Sequence, residues 1–144
     1  VSRVGKDRIK YLYSFNSLLK TGAKVAIGSD SPVEVFDPMY QLYAITTRGQ
    51  YENIETYKFT REEVVETIEA IKMYTINGAY ATFEERFIGS ISPGKCADLV
   101  VLSDNPLNVS PSNIKKVKVL ATMVNGNFIH KSPEFEGIIK EYEL

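Results

Sequence analysis

The stretch Lys24-Val25-Ala26-Ile27-Gly28-Ser29-Asp30-Ser31-Pro32-Val33 limits the fold of this chain more than any other. Ala23, Val25 and Ile27 alternate with the smaller Ala26 and Gly28, the pattern of a strand covered on both faces in a parallel sheet or barrel, and so predict a strand over 24–28. Asp30 then falls just past the strand's C-terminal end, where α/β folds gather their chemistry. Ser31-Pro32 resembles a helix start, but Pro38 predicts a loop before a helix proper over about 39–48.

The flanks extend this pattern. Ile9, Leu12, Phe15, Leu18 and Leu19 recur at three-to-four spacing and predict an amphipathic helix over residues 6–21, stopped by Gly22. Residues 49–58 read as a loop. Thr60 can cap a further helix, with Glu63 completing a capping box and Phe59 packing on Val64 as a hydrophobic staple. Val64, Ile68, Ile71 and Thr75 line its face, and the pattern runs to about Glu85 with a break at Asn77-Gly78. From Phe87 onward the signals are short strands and tight turns. Ser92-Pro93-Gly94-Lys95 has proline and glycine where a type II turn wants them, and Ala97–Leu102 reads as a strand. A polar loop runs to about Asn113; Val117–Val124 and Asn127–His130 are predicted strands joined by Asn125-Gly126, a strong hairpin signal. Residues 132–144 read as a frayed, weakly helical tail.

Hydrophobic residues are 44% and charged residues 24% of 144, which fits one globular domain and excludes a disordered chain. No apolar run approaches the ~20 residues of a spanning helix, so no membrane partner is expected. A net charge of -1 gives no general attraction to nucleic acid either. One cysteine, Cys96, precludes an internal disulfide and fits a reducing, cytoplasmic setting. The sequence opens at Val1 with no leader pattern, so a continuation upstream is expected.

Asp30 is the candidate for chemistry. An aspartate in such a turn commonly bonds the turn's own N–H groups. The functional alternative is an ionised oxygen that ligates a divalent metal and takes a proton from an activated water. A zinc-type centre wants three or four ligands, and the single His130 and Cys96 read as structural instead. No phosphate loop occurs, and no Gly-x-Ser-x-Gly elbow makes Ser29 or Ser31 a nucleophile. Glu62-Glu63 and Glu84-Glu85 read as helix-start charge and a solvated face rather than paired catalytic acids.

Four pieces then line up in order: Gly22-Ala23 leading into Val25-Ala26-Ile27-Gly28-Ser29-Asp30-Ser31-Pro32-Val33; Tyr74-Thr75-Ile76-Asn77-Gly78-Ala79-Tyr80-Ala81; Gly89-Ser90-Ile91-Ser92-Pro93-Gly94-Lys95-Cys96-Ala97-Asp98-Leu99-Val100-Val101-Leu102; and Val124-Asn125-Gly126. Over about residues 8–131 this resembles the C-terminal part of a metal-dependent amidohydrolase, in the amidohydrolase family 3 branch of N-substituted formamide deformylase-like TIM-barrel hydrolases. The resemblance implies an α/β fold in which residues 1–86 are the C-terminal part of a (β/α)8 barrel, with 24–28 as its eighth strand. Residues 87–131 would be part of a composite β-sandwich, with Asp98 and the Pro93-Gly94 turn structural, and 132–144 a C-terminal tail. It implies hydrolysis of non-peptide carbon–nitrogen bonds in small amide-like substrates by water activated on a divalent metal, expected to be zinc, with Asp30 as metal ligand or proton shuttle. The family's His-x-His pair and later histidines have no counterpart in the sequence. They are expected upstream; the chain alone is expected to be inactive and metal-free, its orphan strand completed by an upstream barrel segment or by self-association. The rival reading is a non-catalytic binding or assembly module, or one part of a split enzyme.

Overall fold

Helices dominate as far as Ala81 and a small antiparallel sheet follows, closed by a last helix. The structure, a computed structural model, describes residues 3–142. The Val1 terminus and the end of the tail at 143–144 lie outside the described residues.

A 3-10 turn at Ile9–Tyr11 and helix α1 (Phe15–Lys20) occupy the predicted 6–21 helix, broken where Tyr13 takes a positive φ of 52°. Helix α2 (Pro38–Thr47) starts as its sequence dictates: Asp37 Oδ1 accepts from the Met39 N–H at 2.9 Å, and Pro38 supplies the first helical φ. Its Met39, Leu42, Tyr43 and Ile45 form the core with Val65, Ala70, Met73, Ile114 and Val117. Val65, Met73 and Ile114, fully buried, each contribute on the order of 1.5–3 kcal/mol.

The predicted helix start at Thr60 is corrected. Tyr57–Thr60 is the short α3, Arg61–Glu63 a 3-10 turn, and the helix proper, α4, spans Thr67–Tyr74. Glu63 closes no capping box, because its carboxylate is engaged by Ser17 of α1. The break expected at Asn77-Gly78 comes at Thr75 (φ -119°, ψ -96°), after which α5 runs from Ile76 to Ala81.

The predicted strand over 24–28 is extended but joins no ladder within the described residues. Val25 and Ile27 pack half-buried on the core, while Lys24, Ala26 and Gly28 face solvent, so one side is covered rather than two. Helix groups hold it in place of a neighbouring strand: Asn77 Nδ2 donates to the Val25 carbonyl at 2.9 Å, and the Ile27 N–H donates to the Met73 carbonyl at 3.3 Å. A strand requires a paired neighbour, and an alternating sequence alone does not supply one.

The sheet has the order β1 (Leu99–Leu102), β2 (Val119–Val124), β3 (Asn127–Lys131), all antiparallel. Asn125 (φ 48°) and Gly126 (φ 78°) make the hairpin turn between β2 and β3, both in the left-handed region that such a turn needs. Asp98 Oδ1 accepts from the Asn125 N–H at 2.7 Å, pinning that turn to the strand opposite. The Ser92–Lys95 turn is closed by the Lys95 N–H on the Ser92 carbonyl, with Gly94 at φ 89°. The tail is a regular helix, α6 (Pro133–Tyr142): Ser132 Oγ caps it through the Phe135 N–H, and Phe135 packs on Phe128 of β3 with ring centroids 5.4 Å apart. No helix among the described residues is long and apolar enough to cross a membrane.

Candidate functional site

Asp30 ends the extended segment with φ 49°, a left-handed conformation that aspartate tolerates better than most side chains, and it is exposed. The turn behind it is self-sufficient. Ser29 Oγ accepts from the Ser31 N–H at 3.2 Å; Pro32, after a cis peptide, has no N–H. The Asp30 backbone carbonyl accepts from the Val33 N–H at 2.9 Å, and the Ser29 carbonyl accepts from the Glu34 N–H at 3.2 Å. Asp37, not Asp30, caps α2. The N–H groups of Ser31, Val33 and Glu34 have therefore found other acceptors, and Asp30 is exposed to solvent.

One carboxylate is one ligand. Among the described residues no three His, Cys, Asp or Glu side chains converge to hold a metal ion. His130 stands exposed on β3 opposite Thr122, and Cys96 is exposed ahead of β1 with its N–H on the Phe87 carbonyl. Neither is on the element that carries Asp30. Glu62 is an exposed partner of Arg61 at 3.4 Å, and Glu84 accepts from the Thr82 hydroxyl at 2.8 Å. Ser29 is used up in the turn, so the structure brings no base to it.

The polar residue that sequence reasoning misplaced is Glu63. It is buried, and it accepts from the Ser17 N–H at 2.9 Å and from the Ser17 hydroxyl, satisfying the first turn of α1 from 46 residues away. Burial raises its pKa, but the bonds from Ser17, an N–H from Asn16 and the Arg48 charge outweigh burial and hold it below the ordinary carboxylate value. Arg48 is itself lowered by burial, with Glu63 and Tyr13 acting against that, and it donates to the Leu12 carbonyl at 2.9 Å. Glu63 thus ties the start of α1 to the 3-10 turn before α4, and Arg48 ties the end of α2 to Leu12.

A groove of about 550 Å³ lies at the other end of the extended segment, bounded by Lys20, Lys24, Lys72, Glu66 and Glu69. Asp30 takes no part in it, and its mixed charges, with Lys72 paired to Glu69 at 2.6 Å, offer no convergent chemistry. In the loop after Asp30, Val33, Val35 and Phe36 are 77%, 57% and 82% exposed.

Comparison with known proteins supplies the remaining finding. Residues 1–130 match the family model described as the amidohydrolase family. The chain is 30% identical over 131 residues to the putative amidohydrolase YtcJ of Bacillus subtilis (strain 168), covering 91% of this chain and 25% of that protein. It is 32% identical over 115 residues to an N-substituted formamide deformylase of Arthrobacter pascens, covering 80% and 21%. Among solved structures, an uncharacterized metal-dependent hydrolase from Pyrococcus horikoshii OT3 superposes with a TM-score of 0.71 at 31% identity, over 78% of this chain and 23% of that one. The chain thus spans about a quarter of the length of the proteins it matches.

Proposed function

Because the chain belongs to the amidohydrolase family, we propose that it is the C-terminal region of a metal-dependent hydrolase acting on non-peptide carbon–nitrogen bonds of small amide-like molecules, with Asp30 as its contribution to the metal centre. The observation that carries this is the turn behind Asp30: its N–H groups are bonded to Ser29 and to the Asp30 backbone, so the carboxylate has no structural task there. A divalent metal such as zinc, held by Asp30 together with ligands from outside this chain, would polarise the scissile group and acidify water. Asp30 does the rest of the work assigned to this chain. Its ionised oxygen binds, or takes a proton from the attacking water and passes it to the leaving nitrogen, so that carbon–nitrogen cleavage releases a neutral amine. The closed turn holds the Asp30 backbone, and the exposure of its side chain leaves room for a substrate.

The matched proteins are about four times longer, which supports reading residues 24–28 as one strand of a barrel whose other strands come from elsewhere in a longer protein. That reading accounts for the solvent-facing side of Lys24, Ala26 and Gly28. Residues 87–131 then belong to a composite β-sandwich, and the single cysteine suits a cytoplasmic enzyme. The name of the Arthrobacter relative makes N-substituted formamides the first substrates to assay. In the full-length protein, Asp30→Asn and Asp30→Ala lower turnover by about a hundredfold or more while the melting temperature holds. Near-wild-type rates in both variants, or a full-length protein without bound metal, contradict the assignment.

A further inference from the structure

We propose that Asn77 is a positioning residue for Asp30: its side-chain amide anchors the extended segment from which the carboxylate is delivered, so that the site depends on the start of α5. This rests on the assignment of Asp30 given above. Asn77 is a polar side chain only 7% exposed, in the second position of a short helix. Asparagine and the glycine that follows it are both weak helix formers, so helix propensity does not account for the pair. A distant partner does: Asn77 Nδ2 donates to the Val25 carbonyl at 2.9 Å, 52 residues back along the chain.

The segment needs that bond. Val25 has no strand beside it among the described residues, so without Asn77 its carbonyl has no protein donor there. Among the described residues two hydrogen bonds tie residues 23–29 to the helices, and the second runs from the Ile27 N–H to the Met73 carbonyl, an orphan acceptor in the last turn of α4. At 3.3 Å the Ile27 bond is long, whereas the Asn77 bond at 2.9 Å has the ordinary length, which makes Asn77 the firmer anchor. The bonds donated by Ser31, Val33 and Glu34 stay within the turn at Asp30 and hold its shape without fixing its place. The anchor is itself braced. A β-carbon added at Gly89 would stand 2.7 Å from Ala79 Cβ and 3.0 Å from the Ile76 Cα, so α5 has no room to retreat on that side. Loss of the amide leaves the segment held by the longer bond and by the packing of Val25 and Ile27, and the carboxylate at its end loses its fixed position.

A double-variant cycle tests this, read as zinc affinity of the full-length protein in competition with a chromogenic chelator. Asp30→Asn weakens zinc binding about a hundredfold and Asn77→Ala about tenfold. Combined with Asp30→Asn, the Asn77→Ala change costs less than about twofold more, because the carboxylate it acts through is gone. A side chain that merely supports the core would weaken both proteins by the same factor. Asn77→Leu, close in shape but without a donor, gives the same pattern with no cavity, and the melting temperature controls for folding. Zinc affinity unmoved by either Asn77 substitution, an equal loss in both backgrounds, or failure of both Asn77 variants to fold overturns the proposal. Zinc binding that Asp30→Asn leaves unchanged, or a full-length protein that takes up no zinc, refutes instead the assignment of Asp30, and the positioning role with it.

Discussion

Replacing Glu63 by glutamine keeps its shape and removes its charge, which makes it a clean probe of how α1 is held. In the structure the carboxylate accepts two bonds, from the Ser17 N–H at 2.9 Å and from the Ser17 hydroxyl, and it is buried. A hydrogen bond to a charged group contributes about 1.5–3 kcal/mol and a neutral one about 0.5–1.5. Glutamine can keep both contacts, its oxygen on the Ser17 N–H and its NH2 donating to the Ser17 hydroxyl oxygen, but each drops from a charged to a neutral bond, a cost of about 2 kcal/mol in all. That corresponds to roughly 30-fold faster hydrogen exchange at the amides of Ser17 and Leu18, measured in the full-length protein and corrected for intrinsic rates. The pH dependence has a definite sign. The folded carboxyl lies below its unfolded value of about 4.3, so its stabilisation is complete well above that pH and is lost as the pH falls through the folded value. Exchange at α1 that is unchanged by Glu63→Gln, and flat from pH 7 down to the onset of acid unfolding, would show that the clamp carries no weight.

Gly89 sits at φ 83°, where an added β-carbon would stand 2.7 Å from Ala79 Cβ, 3.0 Å from the Ile76 Cα and 3.2 Å from the Thr75 carbonyl oxygen. Two of these atoms are backbone, so Gly89→Ala is expected to cost about 3 kcal/mol in denaturant unfolding, and a loss below about 1 kcal/mol would mean that the strand region and α5 are not packed as described. Tyr43 is raised above the usual phenol value first by burial and then by its bond to Glu52, while Lys115, 4.1 Å over the ring, lowers it. By carbon NMR of the Tyr43 ring, Glu52→Gln should bring its titration down towards ~10 and Lys115→Met should push it further up. Shifts of the opposite sign would contradict the arrangement.

What the sequence could disclose was the local part. Asn125-Gly126 and Pro93-Gly94 each impose their own backbone conformation on their immediate neighbours, and the hairpin and the turn are where they were read. The extended segment 24–28 shows the limit. Its alternation is real, but strandhood belongs to a pair, and here Asn77 and Met73 take the positions of a partner. Glu63 shows the same limit in another form: four residues after Phe59, beside a plausible cap, it has the local context of a capping box, yet Ser17 outcompetes that role from a distant helix. The tail was underestimated for the opposite reason, since Ser132-Pro133-Glu134 is a complete helix start that only needed Phe128 to pack against Phe135. At the candidate site, the sequence puts Asp30 just past an extended segment, and the structure places it there, exposed.

The central claim, that Asp30 belongs to a metal centre completed from outside this chain, is tested most directly by a crystal structure of the full-length protein with the metal located by its anomalous scattering. The account predicts an Asp30 carboxylate oxygen about 2.0–2.2 Å from the metal, or within about 2.6–3.2 Å of its water, with the other ligands drawn from residues outside 1–144. An Asp30 carboxylate remote from both metal and water, or a metal held wholly by residues of this chain, would contradict it.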